Sequence, residues 1–221
     1  MGESIKFKRT DGKTGDGYYA EPQGGAEAPG IVVLQEWWGL NDQIRGVADR
    51  LAGLGYRALV PDLYHGNVTL DAAEASHLMT DLDFGDAVGN DVAGAVQHLK
   101  QNGAKVGVIG FCMGGALSVL AAIYTAADAA VPWYGLPPAE AADVTKIHMP
   151  LQGHYALQDS FFTPAAVDAF EAKLKAASLP HEIYRYDADH AFGNEEGGAY
   201  NAEAAAQAWE RSLAFFATHL K

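Results

Sequence analysis

The chain is short of cysteine and of basic residues, and both shortages exclude classes of protein. Its 221 residues include a single cysteine, Cys112, so no disulfide can form within the chain. Lysine and arginine number 15 against 28 acidic residues, which leaves a formal net charge of −13. A surface of this sign repels phosphate backbones and anionic lipid headgroups. We therefore expect neither a nucleic acid nor a membrane as a partner.

Long apolar runs are also missing from the sequence. No stretch of about 18 apolar residues could cross a bilayer, and the first residues lack the apolar core of a secretory signal peptide. A free thiol persists in a reducing compartment, so we expect a cytoplasmic protein. No internal repeat, low-complexity block or linker divides the sequence, and we expect one domain over residues 1–221. We expect a monomer, with a dimer as the alternative.

The sequence does contain a regular alternation of short apolar runs with segments of helical periodicity. Apolar runs predict strands, and apolar residues spaced three and four apart predict helices. The predicted strands are 31–34, 56–60, 105–110, 129–133, 147–153 and 181–187, and the predicted helices are 41–55, 71–101, 113–126, 164–178 and a C-terminal helix around Trp209. Two opening segments, 4–9 and 17–22, predict an antiparallel hairpin at the edge of a sheet.

Strands that alternate with helices of ten or more residues predict parallel β-α-β units and a doubly wound α/β sheet. Short, wholly apolar strands fit a sheet that is covered on both faces. In such sheets ligands bind at the carboxyl ends of the strands. The polar residues that directly follow each predicted strand are therefore the candidate functional residues.

Cys112 lies in a Gly-x-Cys-x-Gly segment between a predicted strand and a predicted helix. This is the context of a nucleophile elbow, with sulfur in place of a hydroxyl oxygen. Gly110 and Gly114 remove the Cβ atoms that would clash in the tight turn. The free amides and the dipole at the start of the helix favour a thiolate, and the amide of Met113 is placed to donate to an oxyanion. The pattern indicates a nucleophile.

A thiol nucleophile needs a base, and the base needs a group that orients it. His190 follows the last predicted strand, and Asp159 follows the strand at 147–153. The order Cys112, Asp159, His190 is nucleophile, acid, base, which is the chain order found with this type of elbow. Asp187 and Asp189 are rivals for the acid, although they crowd the histidine in sequence. His154 is a less suitable base because it precedes the acid.

Glu36 and Trp37 follow the first central strand, at the same predicted edge of the sheet. A carboxylate beside a thiol disfavours the thiolate by like-charge repulsion. The segment around Glu36 is apolar and aromatic, so its carboxylate is expected to be paired. The amide of Trp37 occupies the position from which a second oxyanion donor comes in this kind of site.

Three segments, LQEWWGLNDQIRGVADRLAGLGYRALVPDLYHG, VGVIGFCMGG and DADHAFGNE, resemble the dienelactone hydrolase family, or carboxymethylenebutenolidases. The resemblance runs from about residue 28 to the C-terminus. It implies an α/β-hydrolase fold with about eight strands and no large cap domain. It also implies a triad and an oxyanion hole, formed by Cys112, His190 and Asp159 and by the amides of Trp37 and Met113. It further implies that Glu36 pairs with the resting cysteine and holds it as an unreactive thiol until substrate displaces it.

The resemblance implies arginines that bind the carboxylate of dienelactone, and this sequence lacks them. Asn194 stands four residues after His190, where one arginine is expected, and residues 65–99 contain no arginine. An anionic lactone should therefore bind weakly. Five aromatic residues follow strand ends and predict an apolar pocket suited to neutral esters or lactones: Trp37, Tyr64, Tyr134, Phe161 and Phe192.

The sequence therefore predicts a hydrolase that cleaves carboxylic esters or lactones through a thioester on Cys112. It contains no HExxH motif, no glycine-rich phosphate loop and no cysteine cluster, so we expect neither a metal nor an organic cofactor. One alternative is a broad-specificity esterase or thioesterase with little dienelactone activity. A second alternative is a protein that keeps the fold and the thiol without catalysis.

Overall fold

The computed structural model describes all 221 residues and contains one sheet of eight strands in the order β1-β2-β4-β3-β5-β6-β7-β8. The strands are β1 (Glu3–Lys8), β2 (Thr14–Ala20), β3 (Gly30–Leu34), β4 (Arg57–Pro61), β5 (Val106–Phe111), β6 (Ala129–Trp133), β7 (Leu151–Ala156) and β8 (His181–Tyr186). The pairs β1–β2 and β2–β4 are antiparallel, and all the other pairs are parallel. The predicted hairpin and the predicted mostly parallel sheet are both confirmed.

Helices connect the parallel strands, and side-chain caps begin most of them. They are α1 (Asp42–Gly53), α2 (Ala72–Asp81), α3 (Phe84–Asp86), a π-helical turn (Ala87–Val92), α4 (Ala93–Lys100), α5 (Met113–Tyr124), α6 (Pro164–Ala176) and α7 (Ala202–Leu220). The side chain of Asn41 caps α1 by accepting from the amide of Ile44 at 3.1 Å, and Asn201 caps α7 in the same way. No helix is both long and apolar enough to span a membrane.

Both faces of the sheet are covered, as the apolar strands predict. Alternate residues of β3 point to opposite faces, so Ile31 and Val33 pack with α1 and α7. Val32 and Leu34 pack with the π-helical turn, α4, α5 and α6 on the other face. The parallel strands in the centre of the sheet are thus shielded from water on both sides, and only their carboxyl ends and the loops that follow are open to ligand.

Two predicted elements differ from the structure. The strand predicted at 147–153 begins at Leu151, because Pro150 supplies no amide for the ladder and a short 3₁₀ helix, Val144–Lys146, precedes it. The single helix predicted over 71–101 is broken after α2. Leu82 has extended backbone angles there, and Asp83 starts a new helix by accepting from the amide of Asp86 at 3.0 Å. Neither difference changes which strand end carries a candidate functional residue.

Candidate active site

Cys112 occupies the sharp turn between β5 and α5. Its backbone angles, φ 55° and ψ −115°, lie in a region that non-glycine residues rarely adopt. A Cβ atom at Gly110 would collide with the carbonyl of Gly114, and one at Gly114 would collide with the carbonyl of Leu34. Gly110 is therefore required where β5 passes close to the start of α5, and Gly114 where α5 passes close to the end of β3. The turn presents the sulfur at the carboxyl edge of the sheet.

The side chains of Cys112, His190 and Asp159 form a continuous hydrogen-bonded line across this edge. His190 Nε2 lies 3.2 Å from Cys112 Sγ, and His190 Nδ1 lies 2.8 Å from Asp159 Oδ2. The imidazole is mostly buried, with 15% of its side-chain surface exposed, while the Asp159 side chain is 1% exposed. A proton on Nδ1 is donated to the carboxylate, which leaves Nε2 to accept from the thiol.

The position of Asp159 is fixed by its own loop. Its Oδ1 accepts hydrogen bonds from the amides of Phe161 at 2.8 Å and Phe162 at 2.9 Å. Burial by itself would raise the pKa of Asp159, but the hydrogen bonds from His190 and from the two amides outweigh it, and the pKa lies below its usual value. The carboxylate is therefore charged, and it is held in place to orient the histidine.

The rival acids take part in other contacts. Asp187 accepts from Gln158 Nε2 at 2.8 Å, and Asp189 accepts from the backbone amide of His190 at 2.7 Å. Neither carboxylate is hydrogen-bonded to the imidazole of His190. Of the three aspartates considered from the sequence, only Asp159 contacts the ring.

Glu36 lies buried next to this line of side chains, with 5% of its surface exposed. Its Oε2 accepts from Asn194 Nδ2 at 2.7 Å, and its Oε1 accepts from Tyr134 Oη at 3.2 Å. Burial raises the pKa of the carboxyl, and the two hydrogen bonds partly oppose that rise. The expected direct pairing of Glu36 with the resting cysteine is not observed: the Glu36 oxygens accept from Asn194 and Tyr134, and the sulfur lies next to His190 Nε2.

Glu36 nevertheless acts on the thiol through space. Burial and then the negative charge of Glu36 raise the pKa of Cys112 to about 12, against a smaller opposing effect of the Met113 amide. The resting sulfur at neutral pH is therefore a thiol, and its proton must leave during the reaction.

The two expected oxyanion donors lie on either side of the elbow. Met113 is the first residue of α5, and Trp37 follows the end of β3. Neither amide donates to a backbone carbonyl in the loops or helix caps. Both residues line the open space over Cys112, so their amides are the candidate donors to an oxygen that develops negative charge there.

A cavity of about 490 Å³ opens over Cys112 and His190. Its size fits a small organic substrate. The lining residues are mostly apolar and include Trp37, Trp38, Met79, Phe84, Met113, Leu136, Phe161, Phe162 and Asn194. Glu36 is the only acidic side chain on the wall, and no lysine or arginine reaches it.

The structure places only some of the predicted pocket residues on this wall. Trp37, Phe161 and Asn194 line the cavity, and Phe161 stands at the mouth with 74% of its surface exposed. Tyr64, Tyr134 and Phe192 do not line it. All three are buried: Tyr64 donates to the sulfur of Met113, Tyr134 donates to Glu36, and Phe192 stacks on Trp133. A position directly after a strand end therefore does not distinguish residues that line the cavity from residues buried behind its wall.

Several cavity residues were missed by the reading of the sequence, among them Trp38, Met79, Phe84 and Phe162. Phe162 packs beside His190, with ring centroids 5.7 Å apart, and Trp38 packs against Trp37. Both directly follow a residue that the sequence did single out, and adjacency was the available signal. Met79 and Phe84 come from α2 and α3, whose placement over the cavity depends on tertiary packing.

No group of three or more histidine, cysteine, aspartate or glutamate side chains is arranged to hold a metal ion. The polar groups that the site brings together are a thiol, an imidazole, two carboxyl groups and the amides of Trp37 and Met113. A cysteine at a strand-to-helix elbow on a mostly parallel eight-stranded sheet, with a histidine and an aspartate from later strand ends beside it, is the arrangement typical of the α/β-hydrolase class.

The chain belongs to the dienelactone hydrolase family, whose model matches residues 16–220. It is 34% identical over 233 residues to protein usf of Aquifex pyrophilus, with full coverage of both chains. It is 31% identical to a candidate carboxymethylenebutenolidase of Synechocystis sp., over 93% of this chain and 92% of that protein. A crystal structure of a dienelactone hydrolase-like promiscuous phosphotriesterase from metagenomic libraries superposes with a TM-score of 0.84 at 27% identity, covering 100% of this chain and 99% of the other. Membership makes the chain a carboxylic ester hydrolase that acts on a small-molecule ester.

Proposed function

We propose that this chain, acting as one domain, hydrolyses uncharged carboxylic esters or lactones through a thioester on Cys112. The observation that carries the proposal is the hydrogen-bonded line from Asp159 through His190 to Cys112, with distances of 2.8 Å and 3.2 Å. These are distances at which a proton can pass from thiol to imidazole. The remaining features of the site supply the groups that such a reaction needs.

In the first half of the reaction, His190 Nε2 takes the thiol proton while Cys112 Sγ attacks the ester carbonyl carbon. The carbonyl oxygen becomes an oxyanion, which the amides of Trp37 and Met113 stabilise. When the intermediate collapses, the carbon–oxygen bond breaks and His190 returns the proton to the leaving alkoxide. An alcohol is released, and the acyl group remains on the sulfur. Since the thiol pKa is raised, proton removal is coupled to attack rather than completed before it.

In the second half, His190 removes a proton from a water molecule that attacks the thioester. The carbon–sulfur bond then breaks, the acid is released, and the thiol of Cys112 is regenerated. Asp159 holds the imidazole in the tautomer with the proton on Nδ1, and it stabilises the imidazolium that forms in each half. A lactone follows the same course, with alcohol and acid ending on one product molecule.

The charge of the cavity favours an uncharged substrate over dienelactone. No lysine or arginine lines the wall, and its one acidic side chain is Glu36. Asn194 donates to that carboxylate rather than standing free for a substrate anion. A substrate carboxylate would therefore lose its water without gaining a cationic partner, which is unfavourable. This favours a broad esterase or thioesterase with little dienelactone activity.

The test of the nucleophile is hydrolysis of p-nitrophenyl acetate by the wild type and by Cys112→Ala. We expect kcat/KM to fall by at least about a thousandfold in the variant. Brief mixing of the wild type with ester, followed by acid quenching, should leave an acyl group on the peptide that contains Cys112. A variant that keeps most of its activity, or an unmodified peptide with full turnover, would show that another group attacks. Absence of turnover in the wild type would favour the non-catalytic alternative.

The substrate charge is tested by comparing dienelactone with an uncharged lactone of similar ring size. We expect the uncharged lactone to be the better substrate. The variant Asn194→Arg should raise dienelactone turnover relative to the uncharged lactone, because it brings a cation to the wall. A higher kcat/KM on dienelactone in the wild type would contradict the proposed preference.

A further inference from the structure

A second cavity, of about 350 Å³, lies beside the one over Cys112. Three residues, Leu136, Pro138 and Phe162, line both cavities, so the two share a wall. The wall includes the ring of Phe162, which packs beside the imidazole of His190 with centroids 5.7 Å apart. The second cavity therefore adjoins the cavity over Cys112 on the side of Phe162.

The lining of the second cavity comes from two segments that are otherwise unused by the reaction. One is the loop after β6, which contributes Pro137, Ala139 and Ala142. The other is one face of α6, where Ala166, Ala169 and Phe170 follow at the spacing of successive helical turns. Apart from Lys173 near its end, the residues on this helix face are small or apolar, so they offer few polar partners to a ligand.

The apolar character of this lining determines which kind of ligand the second cavity can bind. The only charged side chain is that of Lys173, which is exposed. A polar or charged ligand would find almost no hydrogen-bond partners along the apolar walls and would lose its hydration. A hydrocarbon chain has no polar group to leave unpaired, and it gains by leaving water.

We propose that the second cavity binds a long apolar chain of the ester substrate, while the ester group sits over Cys112. The inference rests on the proposed function, and it assigns the substrate class as esters with an extended hydrocarbon arm. The arm belongs to the acyl group or to the alcohol, and the shared requirement is a flexible, uncharged chain that extends past Phe162.

The experiment measures kcat/KM along two series of esters, at concentrations below micelle formation. One series is p-nitrophenyl acetate, butyrate, hexanoate and octanoate, and the other is ethyl, butyl, hexyl and octyl acetate. We expect kcat/KM to rise in one of the two series, by roughly fourfold for each methylene that becomes buried. The series that rises identifies the arm that enters the cavity. No rise in either series would overturn the inference.

A matched pair of variants locates the effect in the structure. Ala169 and Ala172 are both exposed on α6, but only Ala169 lines the second cavity, so Ala169→Trp places a bulky ring in it and Ala172→Trp places the same ring outside it. We expect Ala169→Trp to remove the rise with chain length while keeping the rate on the shortest ester, and Ala172→Trp to keep both. A rise that survives in Ala169→Trp would show that the chain binds elsewhere.

The outcomes also separate this inference from the proposed function. If acetate is hydrolysed and the activity disappears in Cys112→Ala, the proposed function holds whatever the dependence on chain length. A flat dependence then overturns only the assignment of the second cavity. If Cys112→Ala keeps the activity, the proposed function fails, and the chain-binding inference fails with it.

Discussion

His190 and His154 come from neighbouring strands of one sheet, yet their surroundings have little in common. His190 follows β8, contacts the Asp159 carboxylate and the Cys112 thiol, and borders the cavity. His154 lies within β7, is fully buried, and has only uncharged partners. These are Tyr186 Oη at 2.8 Å, Gln152 Oε1 at 3.0 Å and Ser212 Oγ at 2.9 Å.

The partners decide what each imidazole can do. The Asp159 carboxylate lies 2.8 Å from the His190 ring, which is the contact that the proposed proton transfers require. Burial lowers the pKa of His154 to about 3, so that ring stays neutral and ties strands and α7 together by hydrogen bonds. A histidine at a strand end with a carboxylate is suited to proton transfer, and one inside the sheet with neutral partners is suited to holding the core.

The sharpest test of this contrast replaces each ring by glutamine. We expect His190→Gln to lower kcat/KM on p-nitrophenyl acetate by roughly a thousandfold to ten-thousandfold, because no base remains to take the thiol proton. His154→Gln should retain activity wherever the protein remains folded. Steady-state kinetics on both variants, with the folded fraction measured by circular dichroism, decides the matter. Comparable losses of activity in the two folded variants would contradict the different roles expected for His190 and His154.

A smaller effect is expected when the ring is kept and its carboxylate partner is neutralised. Asp159→Asn should lower kcat/KM by roughly a hundredfold to a thousandfold, because the tautomer of His190 is no longer held and the imidazolium loses its counter-charge. Asp189→Asn serves as the control, since Asp189 contacts only the backbone amide of His190. A larger loss in Asp189→Asn than in Asp159→Asn would reverse the assignment of the acid.

The contribution of His154 is expected in the stability of the fold. Its pKa is lowered in the folded chain, so its contribution is fully present above the unfolded value near 6.5 and is lost as the pH falls toward 3. As the pH is lowered through that range, His154 should reduce the free energy of unfolding by up to about 1.4 kcal/mol per pH unit. Urea unfolding at several pH values should show a shallower dependence in His154→Gln than in the wild type. The exposed-residue variant His148→Gln should keep the wild-type dependence.

The smallest expected effect concerns Glu36, whose charge acts on the thiol without touching it. Glu36→Gln removes one of the causes that raise the pKa of Cys112, so more thiolate is present at pH 8 and alkylation by iodoacetamide should be about tenfold faster. The exposed-residue variant Glu27→Gln changes the net charge equally and should react at the wild-type rate. An unchanged rate in Glu36→Gln would mean that burial alone keeps the thiol protonated.

The sequence predicted the sheet and the strand ends of the site because both depend on local patterns. Short apolar runs mark the strands, and the residues directly after them are brought to one edge by the parallel arrangement. Cys112, Asp159 and His190 follow from this reasoning, since their chain order and glycine context are visible in the sequence. Their catalytic roles remain predictions for the variants above.

The partners of Glu36 could not be obtained in this way. Tyr134 and Asn194 reach its carboxylate from positions 98 and 158 residues away, and only the packing of three loops brings them there. The second cavity is hidden for a similar reason, because it depends on where the face of α6 lies relative to the loop after β6. Sequence periodicity shows that a helix has a face, but it does not show what distance separates that face from its neighbour.

At Cys112 the backbone conformation lowers the stability of the protein, whereas the side chain is required for the proposed activity. A non-glycine residue in that region carries a strain of about 1–3 kcal/mol, and glycine would relieve it while deleting the proposed nucleophile. A library selected only for survival on heating should therefore return glycine at position 112, in folded and inert proteins. Selection for turnover would restore the cysteine and, with it, the lower melting temperature.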